Sequence, residues 1–238
     1  MMLQFIGRSK IYIYLALLFI LLSIHNLNSI IFINNFFKIK KIIINHSIEE
    51  NLNQEILSSL NKFYGFNIFS INSVEISNVL NNFNIIGEYE IKKEYPSAIK
   101  IELKKTSILA YFFENNQKTY LGENGKKIID KKFVTTKLPL IVGHVDVKKF
   151  LDLKRKLISN GFKLNDFDKF YFYKSNRWDL LYKNKIIIKL PIDDVDISIN
   201  LLRDIIQTKN MKNINTIDLR IRNRVIISWL KLTHQSQF

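Results

Sequence analysis

The 238-residue chain has no cysteine, three prolines, seven glycines and only seven arginines among its 36 basic residues. Without thiols it can form no disulfide, no thiolate metal site and no cysteine nucleophile, which suits an exported domain and a cytosolic one alike. No Walker loop, dinucleotide fingerprint or nucleophile elbow is present. His25, His46, His144 and His234 stand far apart, none at metal-ligand spacing from another. Asp193, Asp194 and Asp196 come nearest to a cation cluster, and first-turn acids complementing a helix dipole account for them. The sequence therefore predicts a non-enzyme, with no catalytic residues, no cofactor and no metal.

The formal net charge is +15, carried by 29 Lys and 7 Arg scattered among Ile, Asn and Phe. Lys, Asn, Ile and Phe rise together under A+T-rich coding, so this charge is weak testimony for a partner. A phosphate reader would more often cluster Arg, whose planar fork matches phosphate oxygens. A membrane-tethered basic domain binding nucleic acid or another anionic polymer is the alternative function; the preferred reading has no nucleic-acid partner.

One long uncharged run exists, residues 11–37, behind Arg8 and Lys10. Its apolar heart, 11–24, would span about 21 Å as a helix, short of the roughly 30 Å hydrocarbon core. Extension through Ile30, Ile31, Phe32 and Ile33 reaches the length and takes in His25, Asn26, Asn28 and Ser29. The same heart fits the h-region of a cleaved signal peptide, but no A-x-A-type site follows, so a retained anchor is expected. Arg8 and Lys10 favour a cytoplasmic N-terminus, while Lys38, Lys40 and Lys41 argue the other way.

Beyond the anchor, residues 38–45 read as a strand. Ser47-Ile-Glu-Glu50 is a capping box opening a helix with Ile48, Leu52, Ile56 and Leu60 on one face. Gly65 is a helix stop, and Asn72-Ser-Val-Glu75 caps a second helix that turns Val79, Leu80 and Phe83 inward. Tyr89, Ile91 and Tyr95 then alternate with Glu88, Glu90, Lys92 and Glu94, and Ile99, Ile101 and Leu103 with Lys100, Glu102 and Lys104. Period two with one wet face predicts a half-exposed sheet, so residues 38–105 read strand–helix–helix–strand–strand.

Short strands follow at 109–113, 119–122 and 126–130, the last two joined by Gly122-Glu-Asn-Gly125. Asp146 caps a helix with Phe150, Leu151, Leu157 and Ile158 inward, closed by Gly161. Strands at 167–173, 178–182 and 185–190 precede a helix over 194–209 that buries Ile199, Leu202 and Ile206. Strands at 216–221 and 224–230 close the fold. The aromatic run Phe170-Tyr-Phe-Tyr173 could stack bases, but alternation would bury Phe170 and Phe172 and expose the tyrosines, as in a sheet core.

These segments, in this order, resemble the FtsQ/DivIB proteins of bacterial cell division. Gly65-Phe-Asn-Ile-Phe-Ser-Ile71 resembles the family's G-x-N-hydrophobic-F segment. Tyr89-Glu-Ile-Lys-Lys-Glu-Tyr-Pro96 with Ile99-Lys-Ile-Glu-Leu-Lys-Lys105 and Leu109-Ala-Tyr111 is similar to its long strand signature. Leu121-Gly-Glu-Asn-Gly125, Leu138-Pro-Leu-Ile-Val-Gly143 and Ile217-Asp-Leu-Arg220 resemble its hairpin, its LP-x-hydrophobic-x-G turn and its terminal strand. Two positions depart: Lys104-Lys105-Thr106-Ser107 lacks the family's Pro, and Ile221 stands where an aromatic is common.

The resemblance implies an α+β chain: a cytoplasmic tail (1–10), a transmembrane anchor (11–37), a POTRA domain (38–106), a mainly antiparallel β domain with two helices (107–230) and a tail (231–238). It implies a scaffold of the inner membrane, with the bulk of the chain periplasmic and enriched at the division site. FtsB-like and FtsL-like proteins and the septal peptidoglycan synthase complex are the implied partners. Strand addition at the final strand is the expected mode, since an edge offers unpaired N–H and C=O groups. The partner-binding set expected there is Arg220, Ile221, Arg222, Val225, Ile227 and Trp229. Trp229 either anchors a partner or closes the core.

Overall fold

The computed structural model describes residues 8–23, 34–46, 50–129, 137–183, 185–208, 211–222 and 224–229. The capping Ser47, residues 24–33 of the expected anchor and the tail 231–238 lie outside these. Two compact units divide the chain, 1–105 and 106–238.

In the first unit, α1 (Arg8–Ser23) is 16 residues long, about 24 Å, and exposes its large apolar side chains on every side. Among the described residues no helix is long and apolar enough to cross a membrane. Strand β1 (Lys41–His46) leads to α2 (Glu50–Leu60) and α3 (Ser73–Leu80), then β2 (Ile86–Glu94) and β3 (Ala98–Lys105). The sheet order is β1-β3-β2, with β1 parallel and β2 antiparallel to β3. Asn72 caps α3 as its sequence predicts, its side chain accepting from the Val74 N–H at 3.0 Å. Ile99, Ile101 and Leu103 of β3, Ile56 and Leu60 of α2 and Ile76 and Leu80 of α3 are all buried and make up much of the core of the unit. The alternate residues face water, which is what period two requires.

The second unit is one sheet with two helices. Its strands are β4 (Ile108–Glu114), β5 (Gln117–Gly122), β6 (Lys127–Ile128), β7 (Leu140–Gly143), β8 (Phe167–Phe172), β9 (Trp178–Tyr182), β10 (Ile186–Lys189), β11 (Ile214–Asp218) and β12 (Ile226–Trp229). The nine run in the order β12-β11-β10-β9-β8-β7-β4-β5-β6. Five neighbouring pairs are antiparallel; β10–β11, β7–β8 and β4–β7 are parallel.

Helices α4 (Val147–Ser159) and α5 (Val195–Thr208) pack on this sheet. Asp146 caps α4, accepting from the Lys149 N–H at 3.1 Å. The buried stripe of α4 is Phe150, Leu153 and Leu157, spaced three and four apart; Ile158, expected inside, lies one position round the helix and is exposed. In α5 the stripe is Ile199, Leu202 and Ile205, with Ile206 at its margin. Phe150 meets Phe170 edge-on at 5.3 Å, and Trp178 lies over Phe172 at 4.4 Å, so the aromatic run is sheet core. Gly143 cannot be replaced freely: its φ is +106° and a Cβ would stand 2.1 Å from the Phe172 carbonyl oxygen.

Candidate functional site

Strand β12 lies at an edge of the large sheet, and no described strand pairs with its outer side. Its hydrogen-bond direction follows from its neighbours. The Leu219 N–H donates to the Lys189 carbonyl at 2.9 Å, which turns the backbone groups of Ile217 and Leu219 toward β10. Thr216 and Asp218 then face β12, where their register partners are Ser228 and Ile226. Ile227, between those two, turns its N–H and C=O away from β11, and Val225 does so by alternation.

Side chains sort the other way. Val225 and Ile227 are half-buried and pack against the core, so of the expected contact residues these offer backbone rather than side chain. Ile226 and Ser228 face outward. Trp229 is 58% exposed, which removes it from the core and leaves it as a surface aromatic at the strand's end.

The strand expected over 216–221 stops at Asp218, so Arg220 and Arg222 sit in the β11–β12 connection and not on a sheet face. Asp218 itself ends the strand. Its carboxylate accepts from the Arg220 N–H at 3.1 Å, an Asx-type turn, and from the Arg220 guanidinium at 2.6–3.0 Å. Hydrogen bonds from that guanidinium hold the Asp218 carboxyl below its ordinary pKa, against a smaller upward push from burial. Arg222 Nε lies 3.6 Å from Asp194, just before α5.

Beside this turn runs a groove of about 480 Å³ between the start of α5 and the β11–β12 connection. Ile192, Ile197, Leu201 and Ile221 give it apolar walls. Arg177, Arg220, Arg222 and Arg224 rim it, four of the seven arginines in the chain. Sequence reasoning missed Arg177, Arg224 and the two isoleucines of the α5 entrance. The clustering of Arg in a Lys-rich chain was the signal available; the isoleucines come from a distant segment and gave none. Among the described residues no group of three His, Cys, Asp or Glu could hold a metal. Asp193 and Asp194 also line the groove, and Arg177, Arg220 and Arg222 pair with Asp179, Asp218 and Asp194, so the arrangement suits an extended segment on the edge with an amphipathic stretch in the groove.

Two family profiles match the chain: "POTRA domain, FtsQ-type" over residues 37–105 and "Cell division protein FtsQ/DivIB, C-terminal" over residues 110–220. The chain is 28% identical over 194 residues to cell division protein FtsQ of Rickettsia bellii (strain RML369-C), covering 80% of this chain and 72% of that one. It is 27% identical over 204 residues to FtsQ of Rickettsia prowazekii (strain Madrid E), with the same coverage. It is 24% identical over 147 residues to FtsQ of Rhizobium radiobacter, covering 60% and 69%. With both halves matched in order and an α+β fold to carry them, the chain belongs to the FtsQ/DivIB family of cell-division proteins.

Proposed function

We propose that this cell-division protein is a non-catalytic scaffold, anchored once in the inner membrane, that docks partners by strand addition at β12. In this reading residues 11–37 are the anchor behind a cytoplasmic tail, and the two units that follow stand in the periplasm at the division site. FtsB-like and FtsL-like proteins are the partners, and through them the septal peptidoglycan synthase complex is recruited and controlled. The observation that carries the reading is Ile227: its backbone N–H and C=O point off an uncharged edge, beside an arginine-rimmed apolar groove.

Magnitudes show why both parts are needed. A four-residue strand turns about four backbone groups outward, each worth about 1 kcal/mol when paired. That falls well short of the roughly 8 kcal/mol of micromolar binding, before any cost of association. The edge sets register, and Ile192, Ile197, Ile221 and Trp229 supply the apolar area.

The test is Ile227→Pro in the full chain, which deletes an outward N–H without touching the ladder to β11. Co-purification with an FtsB-like and FtsL-like pair should be lost while hydrogen exchange across both units stays unchanged. A folded variant that still binds would reject β12 as the dock. Salt separates the rival: attachment to an anionic polymer weakens steeply with ionic strength, and a strand-paired complex does so far less.

A further inference from the structure

Three segments meet at one end of the first unit: 34–41, 64–70 and 95–97. The Ile39 N–H donates to the Phe66 carbonyl at 2.9 Å, Gly65 to Ile39 at 3.0 Å, Ile68 to Phe37 at 2.9 Å and Lys40 to Ser97 at 2.8 Å. These bonds fix the segments to one another. Together they carry six aromatic residues, three lysines and no Asp or Glu.

The rings do not turn into the core. Phe36 meets Phe37 edge-on at 5.3 Å, Phe37 meets Phe69 at 4.9 Å, and Phe69 stacks on Tyr95 at 5.0 Å. Phe69 and Tyr95 are each 58% exposed, and Phe36, Tyr64 and Phe66 are exposed beside them. Lys38, Lys40 and Lys41 are exposed in the same place. A contiguous aromatic patch open to water on a folded unit signals something that covers it.

We infer that this patch is a membrane-seating surface, its occupant the anionic headgroup layer of the bilayer that holds the N-terminal segment. The inference rests on the anchor reading given above. Three arguments select lipid. The uncharged run extends to residue 37, so Phe36 and Phe37 close the expected anchor and belong to the patch at once, and the patch sits at the point of exit. Aromatic side chains with adjacent Lys are the composition that partitions to the bilayer interface. A patch with lysines and no carboxylate complements anionic lipid. The seat gives the first unit a defined tilt on the membrane instead of a free swivel.

The chain has no cysteine, so a single introduced thiol can carry a polarity-sensitive dye. The full chain is reconstituted in 3:1 phosphatidylethanolamine:phosphatidylglycerol vesicles with a headgroup-level spin-labelled lipid. Ser70→Cys places the dye beside Phe69; Glu88→Cys places it near the far end of β2, about 23 Å along the strand. The dye at 70 should be quenched at least threefold more than the dye at 88. Adding Phe69→Asn with Tyr95→Asn should remove most of that difference. Flotation of the vesicles reports the anchor separately. A chain that floats with equal quenching at both sites overturns the seat and spares the anchor, and is the result expected if a protein covers the patch. Quenching at 70 that survives the double substitution also overturns the seat, since the tether alone then explains proximity. A chain that fails to float overturns both.

Discussion

Strand β2 closes one edge of the small sheet with nine residues, and β12 closes an edge of the large sheet with four, none of them charged. Along β2, Glu88, Glu90, Lys92 and Glu94 face water; Glu88 pairs with Lys104 of β3 at 3.2 Å and Lys92 with Glu102 of β3 at 3.6 Å, while Lys92 also pairs with Glu90 on its own strand at 2.9 Å. Such exposed pairs add little stability. Charge along an edge does suppress unwanted pairing, and β6, at the far end of the large sheet, achieves the same by being two residues long. Strand β12 has no charged guard, and the groove lies next to it. The difference teaches that two edges can be left to water on different terms, one guarded by charge and one left without it, and the docking proposal rests on the second.

The largest effect should come from giving β12 the guard that β2 has. Ile226→Lys with Ser228→Lys changes two outward side chains and no buried one. Partner affinity, read by titration calorimetry, should fall about 100-fold with Tm unchanged. Unchanged affinity would erase the distinction between the two edges. Next comes Trp229→Ala. An exposed aromatic at the strand's end should behave as an interface anchor, costing about 30-fold in affinity and nothing in Tm. A fall in Tm instead would return Trp229 to the core.

A smaller effect, on folding and not on binding, is expected at Gly143. Its positive φ and the Phe172 carbonyl 2.1 Å from any Cβ mean that Gly143→Ala should destabilise the second unit by about 1–3 kcal/mol. Urea denaturation followed at Trp178 measures this. The first unit, with its own core, should keep its amide protection.

The sequence was most legible where structure is local. Asn72 and Asp146 cap helices because a short side chain needs only the next turn's N–H groups, and β2 and β3 show their wet face through strict alternation. Asn115 and Asn116, both with positive φ, turn β4 into β5, a conformation that Asn tolerates. The parallel pairings of β7 with β4 and β8 join segments far apart in the chain and leave no periodic trace. That the final strand forms a sheet edge was visible. Its groove was not, since Ile192 and Ile197 are joined to Ile221 only by folding.

The smallest effect is the pH dependence of the groove, where the two regions separate once more. Both units hold a carboxylate with a lowered pKa: Asp218, through hydrogen bonds from Arg220, and Glu102, through its hydrogen bond from Lys100. A lowered pKa means that the folded chain favours the ionised form. The stabilisation is complete above the ordinary carboxylate pKa, about 4, and is lost as pH falls through the lower folded value. Partner affinity should therefore be flat from about pH 8 to 5 and decline only below about pH 4, where Asp218 protonates and releases Arg220. Asp218→Asn should lower affinity a few-fold at neutral pH and flatten the acid limb. Glu102→Gln, which removes an equally ion-paired carboxylate from the guarded sheet, should leave the whole profile in place. If the two substitutions acted alike, the profile would report general acid unfolding, and the turn at Asp218 would have no part in setting the dock.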